Sequence, residues 1–227
     1  MKPRPENPLI LALDVSELHE AEELAERLAP HVGLLKVGLE LFSAIGPDAV
    51  RAVSPHGPVF VDTKLHDIPN TVERASANIA KLGVRMFNVH TLGGEAMMRA
   101  AIEGAHRGAD AVGAAMPLVL GVTVLSSLAG EDLASPASLA FEAKAAGLDG
   151  VVVSGADVRD VRDACGEDFV LVVPGIRPRG GNGHDQIRVL TPEEAIERGA
   201  DYLIVGRPIT DASDPVGVAR SMIRDVR

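Results

Sequence analysis

"AAGLDGVVVS", residues 145–154, joins an alanine-rich helical end to a β-branched run through a single glycine. Gly147 suits the left-handed residue that closes a helix, and Val151-Val152-Val153 suits a strand covered on both faces. The design returns at Ala80-Lys81-Leu82-Gly83 before Met86-Phe87-Asn88-Val89, and at Glu197-Arg198-Gly199-Ala200 before Leu203-Ile204-Val205. The chain reads as a repeated βα unit.

Extended to both ends, this reading predicts eight strands: Leu9 to Leu13, Leu34 to Val37, Val59 to Val61, Met86 to Val89, Pro117 to Val122, Val151 to Val153, Val170 to Val173, and Tyr202 to Val205. Helical stretches lie between them. In Glu17 to Leu28, Leu18, Ala21, Ala25 and Leu28 recur at helical spacing while Glu20, Glu22, Glu23 and Glu26 can face water. Thr191-Pro192-Glu193-Glu194 has the form of a capping box with proline at the first helical position. Eight βα units in 227 residues favour an α/β fold of the (β/α)8, or TIM, barrel type over an open doubly wound sheet. The first βα turn, Asp14-Val15-Ser16, also lacks the Gly-x-Gly pattern of a dinucleotide fold. With no linker or low-complexity tract, residues 1–227 are expected to form a single domain.

Composition narrows the function classes. The chain is 46% apolar, enough for one well-filled core, and its formal charge of -10 argues against a nucleic-acid or anionic-membrane partner. Any phosphate must be held by a local cluster. The single cysteine, Cys165, cannot form an internal disulfide, and it reads as a small packing residue on a helix. The start, Met1 to Glu6, has no apolar signal segment, and no apolar run approaches the roughly 20 residues of a membrane span. The expected location is cytoplasmic.

In this barrel, side chains at the C-terminal strand ends form the reaction site. Asp14, Lys36, Asp62, Lys64, His90, Thr123, Ser154, Pro174-Gly175 and Gly206-Arg207 stand at or just after the predicted strands. Only five lysines occur, and Lys36 and Lys64 both fall here rather than on a helix surface. One such charge alone is usually a solvated loop residue or half of a structural ion pair. Several aimed into one mouth must pair in alternation, because an unpaired buried ion costs several kcal/mol. Lys36, Asp62, Lys64 and Asp67 could form that row. A lysine between carboxylates is favoured in its charged form, an acid rather than a Schiff-base nucleophile.

Two further stretches suit an anionic ligand. Residues 173–186, with Arg177, Arg179 and Gln186 among glycines and prolines, resemble a closing lid, and 179–184 are expected to be poorly ordered without ligand. Val205-Gly206-Arg207-Pro208-Ile209 combines a glycine, an arginine and a helix start after the last strand, where such barrels bind phosphate. The seven histidines show no metal-ligand spacing, and His66 reads as a loop-orienting residue. No Gly-x-Ser-x-Gly elbow or P-loop is present.

Together the motifs Leu11-Ala12-Leu13-Asp14, Leu35-Lys36-Val37-Gly38, Asp62-Thr63-Lys64-Leu65-His66-Asp67-Ile68-Pro69-Asn70-Thr71-Val72, Gly121-Val122-Thr123-Val124-Leu125-Ser126-Ser127, Val173-Pro174-Gly175-Ile176-Arg177 and Val205-Gly206-Arg207-Pro208-Ile209 resemble the orotidine 5'-phosphate decarboxylase family in its shorter bacterial form. They run in family order across nearly the whole chain. Thr63 stands where the family commonly has leucine, and Leu65 where an aromatic is frequent. The resemblance implies loss of carbon dioxide from orotidine 5'-monophosphate with no metal or organic cofactor. It implies that Lys64 stabilises and protonates the C6 carbanion while Asp62 faces the departing carboxylate. Lys36 and Asp14 would hold the charged row and the ribose. The segment Asp62 to Thr71, including Leu65, His66, Pro69 and Asn70, would frame the substrate. Asp67, Ile68 and Thr71 would reach the neighbouring subunit's site in a homodimer. Thr123 would meet the pyrimidine, Pro174 would be among the substrate-binding residues, and Arg177, Gln186, Gly206 and Arg207 would take the phosphate as the loop closes.

Two rivals remain at this stage. Magnesium-dependent hexulose-phosphate synthases and keto-gulonate-phosphate decarboxylases share the Asp-x-Lys-x-x-Asp pattern, but carry a metal-binding glutamate where this chain has Lys36, which would repel a divalent cation. A non-catalytic phosphate-binding barrel would keep the cup without the chemistry.

Overall fold

Eight parallel strands pair in sequence order and close on themselves, the last with the first: β1 (Leu9–Ala12), β2 (Leu34–Gly38), β3 (Val59–Leu65), β4 (Met86–His90), β5 (Leu118–Val122), β6 (Gly150–Val152), β7 (Val170–Val173) and β8 (Tyr202–Val205). The structure is a computed structural model that describes residues 5–124, 134–178 and 190–226. All eight predicted strands are present, so the fold is the expected (β/α)8 barrel. The lid residues 179–189 and the stretch 125–133 lie outside the described residues, and with them Gln186 and the expectation for 179–184.

The helices around the barrel are α1 (Leu18–Leu28), α2 (Leu39–Ile45), α3 (Pro47–Val53), α4 (Pro69–Ala80), α5 (Gly94–Val112), α6 (Pro136–Ala146), α7 (Val158–Cys165), α8 (Pro192–Glu197), α9 (Arg207–Thr210) and α10 (Pro215–Arg224). Buried Ala21, Ala25 and Leu28 form the inner stripe of α1. Thr191 and Glu194 close a complete capping box at the start of α8. Gly147 ends α6 in the left-handed conformation at φ 97, as its place in the repeat requires. No helix among the described residues is long and apolar enough to cross a membrane.

Strand side chains alternate between two layers. Ile10, Ala12, Leu34, Phe60, Met86, Leu120, Val170, Val172, Tyr202 and Ile204 fill the barrel interior as one cluster. Leu9, Leu11, Leu35, Val37, Val59, Val61, Phe87, Val89, Val119, Val151, Leu171, Val173, Leu203 and Val205 face the helices in a second, larger cluster. Burial on both faces is what the near-continuous apolar runs encode.

The floor of the barrel is clamped by acids that open the strands. Asp149 donates its backbone N–H to Val119 O at 3.0 Å and accepts from Val119 N at 2.8 Å. Asp201 repeats the pattern with Leu171, at 2.9 and 2.8 Å. Asp201 also pairs at 2.8 Å with Arg162 on α7, whose guanidinium donates to the carbonyls of Gly166, Phe169 and Gly199. This buried arginine ties three segments together with its donors directed at protein oxygens.

The α4–α5 pair is packed backbone against backbone at two glycines. A Cβ at Gly104 would meet Glu73 O at 2.0 Å, and one at Gly108 would meet Ala77 O at 2.2 Å, so glycine alone permits this approach.

Candidate active site

The inward alternation of β1, β2 and β3 delivers charged groups to the C-terminal mouth. Asp14 follows β1, Lys36 comes from within β2, and Asp62 and Lys64 come from an extended β3. The sequence had suggested that β3 ends at Val61, whereas the strand continues to Leu65 and carries both charges on its inner face. Lys36 Nζ lies 3.0 Å from Asp14 Oδ1 and 3.4 Å from Asp62 Oδ2, and Lys64 Nζ lies 2.7 Å from Asp62 Oδ1. The result is an alternating row, Asp14, Lys36, Asp62, Lys64. A Cβ on Gly38 would come within 2.7 Å of Lys36 Nζ and 3.1 Å of Asp14 Oδ1, so glycine there leaves room for the pair.

Lys36 and Asp62 are both buried. Burial pushes the Lys36 ammonium down, but the carboxylates of Asp62 and Asp14 outweigh it and hold Lys36 above the ordinary lysine range. Burial likewise pushes Asp62 up, and Lys36, Lys64 and hydrogen bonds from Lys64 and Asn88 outweigh it, holding the carboxyl below its ordinary value. Each ion is kept charged by its neighbours, as alternation demands.

Lys64 is distinctive in its backbone. Its φ of 50 makes it the one non-glycine residue with positive φ among the described residues. That conformation costs on the order of 1–3 kcal/mol and persists only where the surroundings enforce it. Here the β3–β4 ladder slips: Val61 pairs with Phe87 and Leu65 with Val89, so four steps on β3 match two on β4. The displaced Lys64 N–H is instead received by Asn88 Oδ1 at 2.8 Å, while Asn88 Nδ2 donates to Asp62 Oδ1 at 2.7 Å.

A cavity of about 300 Å³ opens above the row, lined by Asp14, Lys36, Asp62 and Lys64 together with Pro174, Gly175, Arg177, Gly206 and Arg207. Ala12, Val122, Val124, Val152 and Ile204 give it an apolar wall. The arginines, which follow β7 and β8, and the lysines of β2 and β3 thus share one cavity, as a ligand with an anionic tail and a reacting head would need. The helix after Gly206 is only the four-residue α9.

Several expected residues take other positions. Asp67, expected as the fourth member of the row, is exposed and among the described residues accepts only from the N–H of Ile68, and Asp14 takes its place. The reason is chain direction: the segment after Leu65 leaves the barrel toward α4, carrying His66, Asp67, Ile68, Pro69, Asn70 and Thr71 outward as an exposed rim. Ile68 is 65% exposed. Thr123 continues the outward-facing positions of β5, and its hydroxyl donates to Val152 O at 3.3 Å, so Val122 and Val124 line the cavity in its stead. Thr63 points outward too, with its hydroxyl buried and without a partner among the described residues, and Leu65 is half-buried at the ladder's last pair. His66 stacks on His90 with ring centres 5.2 Å apart. Burial, then His66 and Lys64, push His90 below the ordinary histidine range. Among the described residues no cluster of three or more His, Cys, Asp or Glu side chains could hold a metal ion. Sequence reading missed Asn88, whose only trace was one amide at an inward position of an apolar strand.

Comparison with known proteins places this geometry in a group. A family model described as orotidine 5'-phosphate decarboxylase / HUMPS family matches residues 7–222. The orotidine 5'-phosphate decarboxylase of Moorella thermoacetica is 47% identical, covering 96% of this chain and 91% of that one. Its counterpart from Syntrophotalea carbinolica is 48% identical over 96% and 94%. Among solved structures, orotidine 5'-phosphate decarboxylase from Lactobacillus acidophilus matches with TM-score 0.84 and 36% identity, covering 97% of this chain and 99% of that one. The enzyme from Pyrococcus horikoshii matches with TM-score 0.80 and 25% identity, covering 96% and 99%.

Proposed function

The chain belongs to the orotidine 5'-phosphate decarboxylase / HUMPS family, and from that premise we propose that it converts orotidine 5'-monophosphate to uridine 5'-monophosphate in pyrimidine biosynthesis, using no metal or organic cofactor. The observation that carries this reading is the row Asp14, Lys36, Asp62, Lys64 along one wall of the cavity. In the reaction the bond from C6 to the carboxylate breaks, carbon dioxide leaves, and the electron pair stays on C6. The Lys64 ammonium stabilises that charge and gives C6 a proton, which solvent then restores. Lys64 makes one side-chain hydrogen bond within the described residues, to Asp62, so an ammonium with three donors has protons left for substrate. Asp62 faces the departing carboxylate, and Lys36 and Asp14 orient the row and the ribose hydroxyls.

Val122, Val124 and Pro174 offer the pyrimidine its wall, and Arg177, Gln186, Gly206 and Arg207 take the phosphate. Phosphate binding remote from C6 supplies energy for closing the site. The metal-free reading is supported by the donor set: Asp14 and Asp62 already share the Lys36 ammonium, which a divalent cation would have to displace. The exposed rim supports a homodimer in which Asp67, Ile68 and Thr71 complete the site of the neighbouring subunit. Exposed Leu39, Ile68 and Leu92 follow β2, β3 and β4, neighbouring strands whose loops together form an apolar edge suited to burial between copies.

The test is loss of orotidine 5'-monophosphate absorbance in excess chelator, with native protein and Lys64→Ala compared directly. Turnover by the native protein that the substitution abolishes is the expected result. A native protein that turns over only when magnesium is returned would instead point to the sugar-phosphate branch of the family.

A further inference from the structure

We propose that Asn88 is a positioning residue for the reaction, one amide that sets the Asp62 carboxylate and the Lys64 backbone together; this rests on the decarboxylase reading above. Asn88 is fully buried on the inner face of β4. Its neighbours inside the barrel at this level include Met86 and Leu120, so an amide here is out of keeping with the apolar filling around it. A buried amide is tolerated only when its polar atoms are matched. Both ends are matched here, and both partners belong to the charged row.

The two bonds have different consequences. Oδ1 accepts from Lys64 N at 2.8 Å, replacing the backbone bond that the slipped β3–β4 ladder does not supply. That contact holds Lys64 in its left-handed conformation. Nδ2 donates to Asp62 Oδ1 at 2.7 Å, the same oxygen that Lys64 Nζ meets at 2.7 Å. Asn88 thus fixes the base of the lysine and the anchor of its tip. The amide cannot be turned over, because Oδ1 would then face a carboxylate and Nδ2 an N–H. Asn88 has no place in the cavity lining, so its influence passes entirely through Asp62 and Lys64.

The experiment compares native protein, Asn88→Ala and the nearly isosteric Asn88→Asp. Native turnover of orotidine 5'-monophosphate tests the premise separately. Given that turnover, kcat of Asn88→Ala should fall by about 100-fold, the effect of a small misplacement at a reacting group, while KM changes by less than about three-fold. The acid limb of the kcat profile should move to higher pH, since Asp62 has lost a donor that favours its charged form, and further in Asn88→Asp, where a second carboxylate adjoins it. Backbone hydrogen exchange gives a reading independent of activity: the Lys64 amide should be protected in native protein and exposed in Asn88→Ala. If Asn88→Ala does not fold, the shape-preserving Asp variant carries the pH comparison. Native-like kcat in a folded variant, a loss equal at every pH with an unmoved acid limb, or equal protection at Lys64 would each overturn the proposal.

Discussion

Two ion pairs of nearly equal length stand at opposite ends of this barrel. Lys64 and Asp62 meet at 2.7 Å in the mouth, and Arg162 and Asp201 at 2.8 Å at the floor. The floor pair is closed: carbonyls of Gly166, Phe169 and Gly199 take up the guanidinium, and Asp201 also receives the N–H of Leu171. The mouth pair is open. The side chain of Lys64 is 30% exposed toward the cavity, on a strained backbone, with one hydrogen bond of its own within the described residues. The same ionic contact thus serves stability where every donor is consumed and chemistry where some are left over. Distance alone does not tell them apart; the count of remaining donors does.

Crossed substitutions are the strongest way to break this comparison. Lys64→Ala should reduce kcat by at least about 10³-fold, read by the absorbance assay, with little change in thermal midpoint. Asp201→Ala should do the reverse, costing about 3–5 kcal/mol in chemical denaturation by leaving Arg162 buried without its counter-charge, while kcat of the folded fraction stays native. A stability loss in the first, or a rate loss in the second, would dissolve the distinction. A smaller effect sharpens it. Thr63 lies between the two charges but faces the helices with a hydroxyl that has no partner among the described residues, so Thr63→Val should stabilise the fold by about 1 kcal/mol in the same denaturation experiment and leave turnover unchanged.

The smallest effect is in pH. Asp62, depressed below 3.8, contributes stability that is in place above that value and lost as pH falls through its lowered folded value. Lys36, raised above 10.5, contributes stability that is in place below that value and lost only as pH rises past its folded value. Neither of these two contributions changes over the neutral range, whereas the depression of His90 from 6.5 means that stability falls slightly as pH drops below that value. His90→Gln should flatten this slope in thermal melts between pH 8 and 5; an unchanged slope would remove His90 from the account.

Much of this was legible in the chain because barrel strands are encoded by local patterns. The Gly147 turn and its two repeats mark three of the strands, apolar runs mark the rest, and strand ends mark Asp14, Lys36, Asp62 and Lys64. The failures share a cause. Spacing groups Asp67 with the row, but a three-residue step from Lys64 crosses the point where the chain turns outward to α4. Thr123 stands at a strand end, which suggests a cavity residue, whereas its alternation sends it outward. Asn88 and the slipped ladder at Lys64 are properties of two strands at once. Arg162 and Asp201 lie 39 residues apart, on a helix and a strand start, and nothing local links them.

The inner cluster of the barrel has a further consequence, for length changes in evolution and engineering. Ile10, Ala12, Leu34, Phe60, Met86, Leu120, Val170, Val172, Tyr202 and Ile204 all carry even numbers, as do Lys36, Asp62, Lys64 and Asn88. Every connection between strands therefore preserves parity, although nothing requires it to, since a loop can gain or lose one residue without rotating the strands it joins. Inside a strand the same change is of another order. Deleting one residue before Lys36 within β2 would send the ammonium into the helix layer and bring Val37 to the mouth. Strands in this molecule have a reading frame and loops do not, so single-residue indels should accumulate in its connections and be absent from its staves.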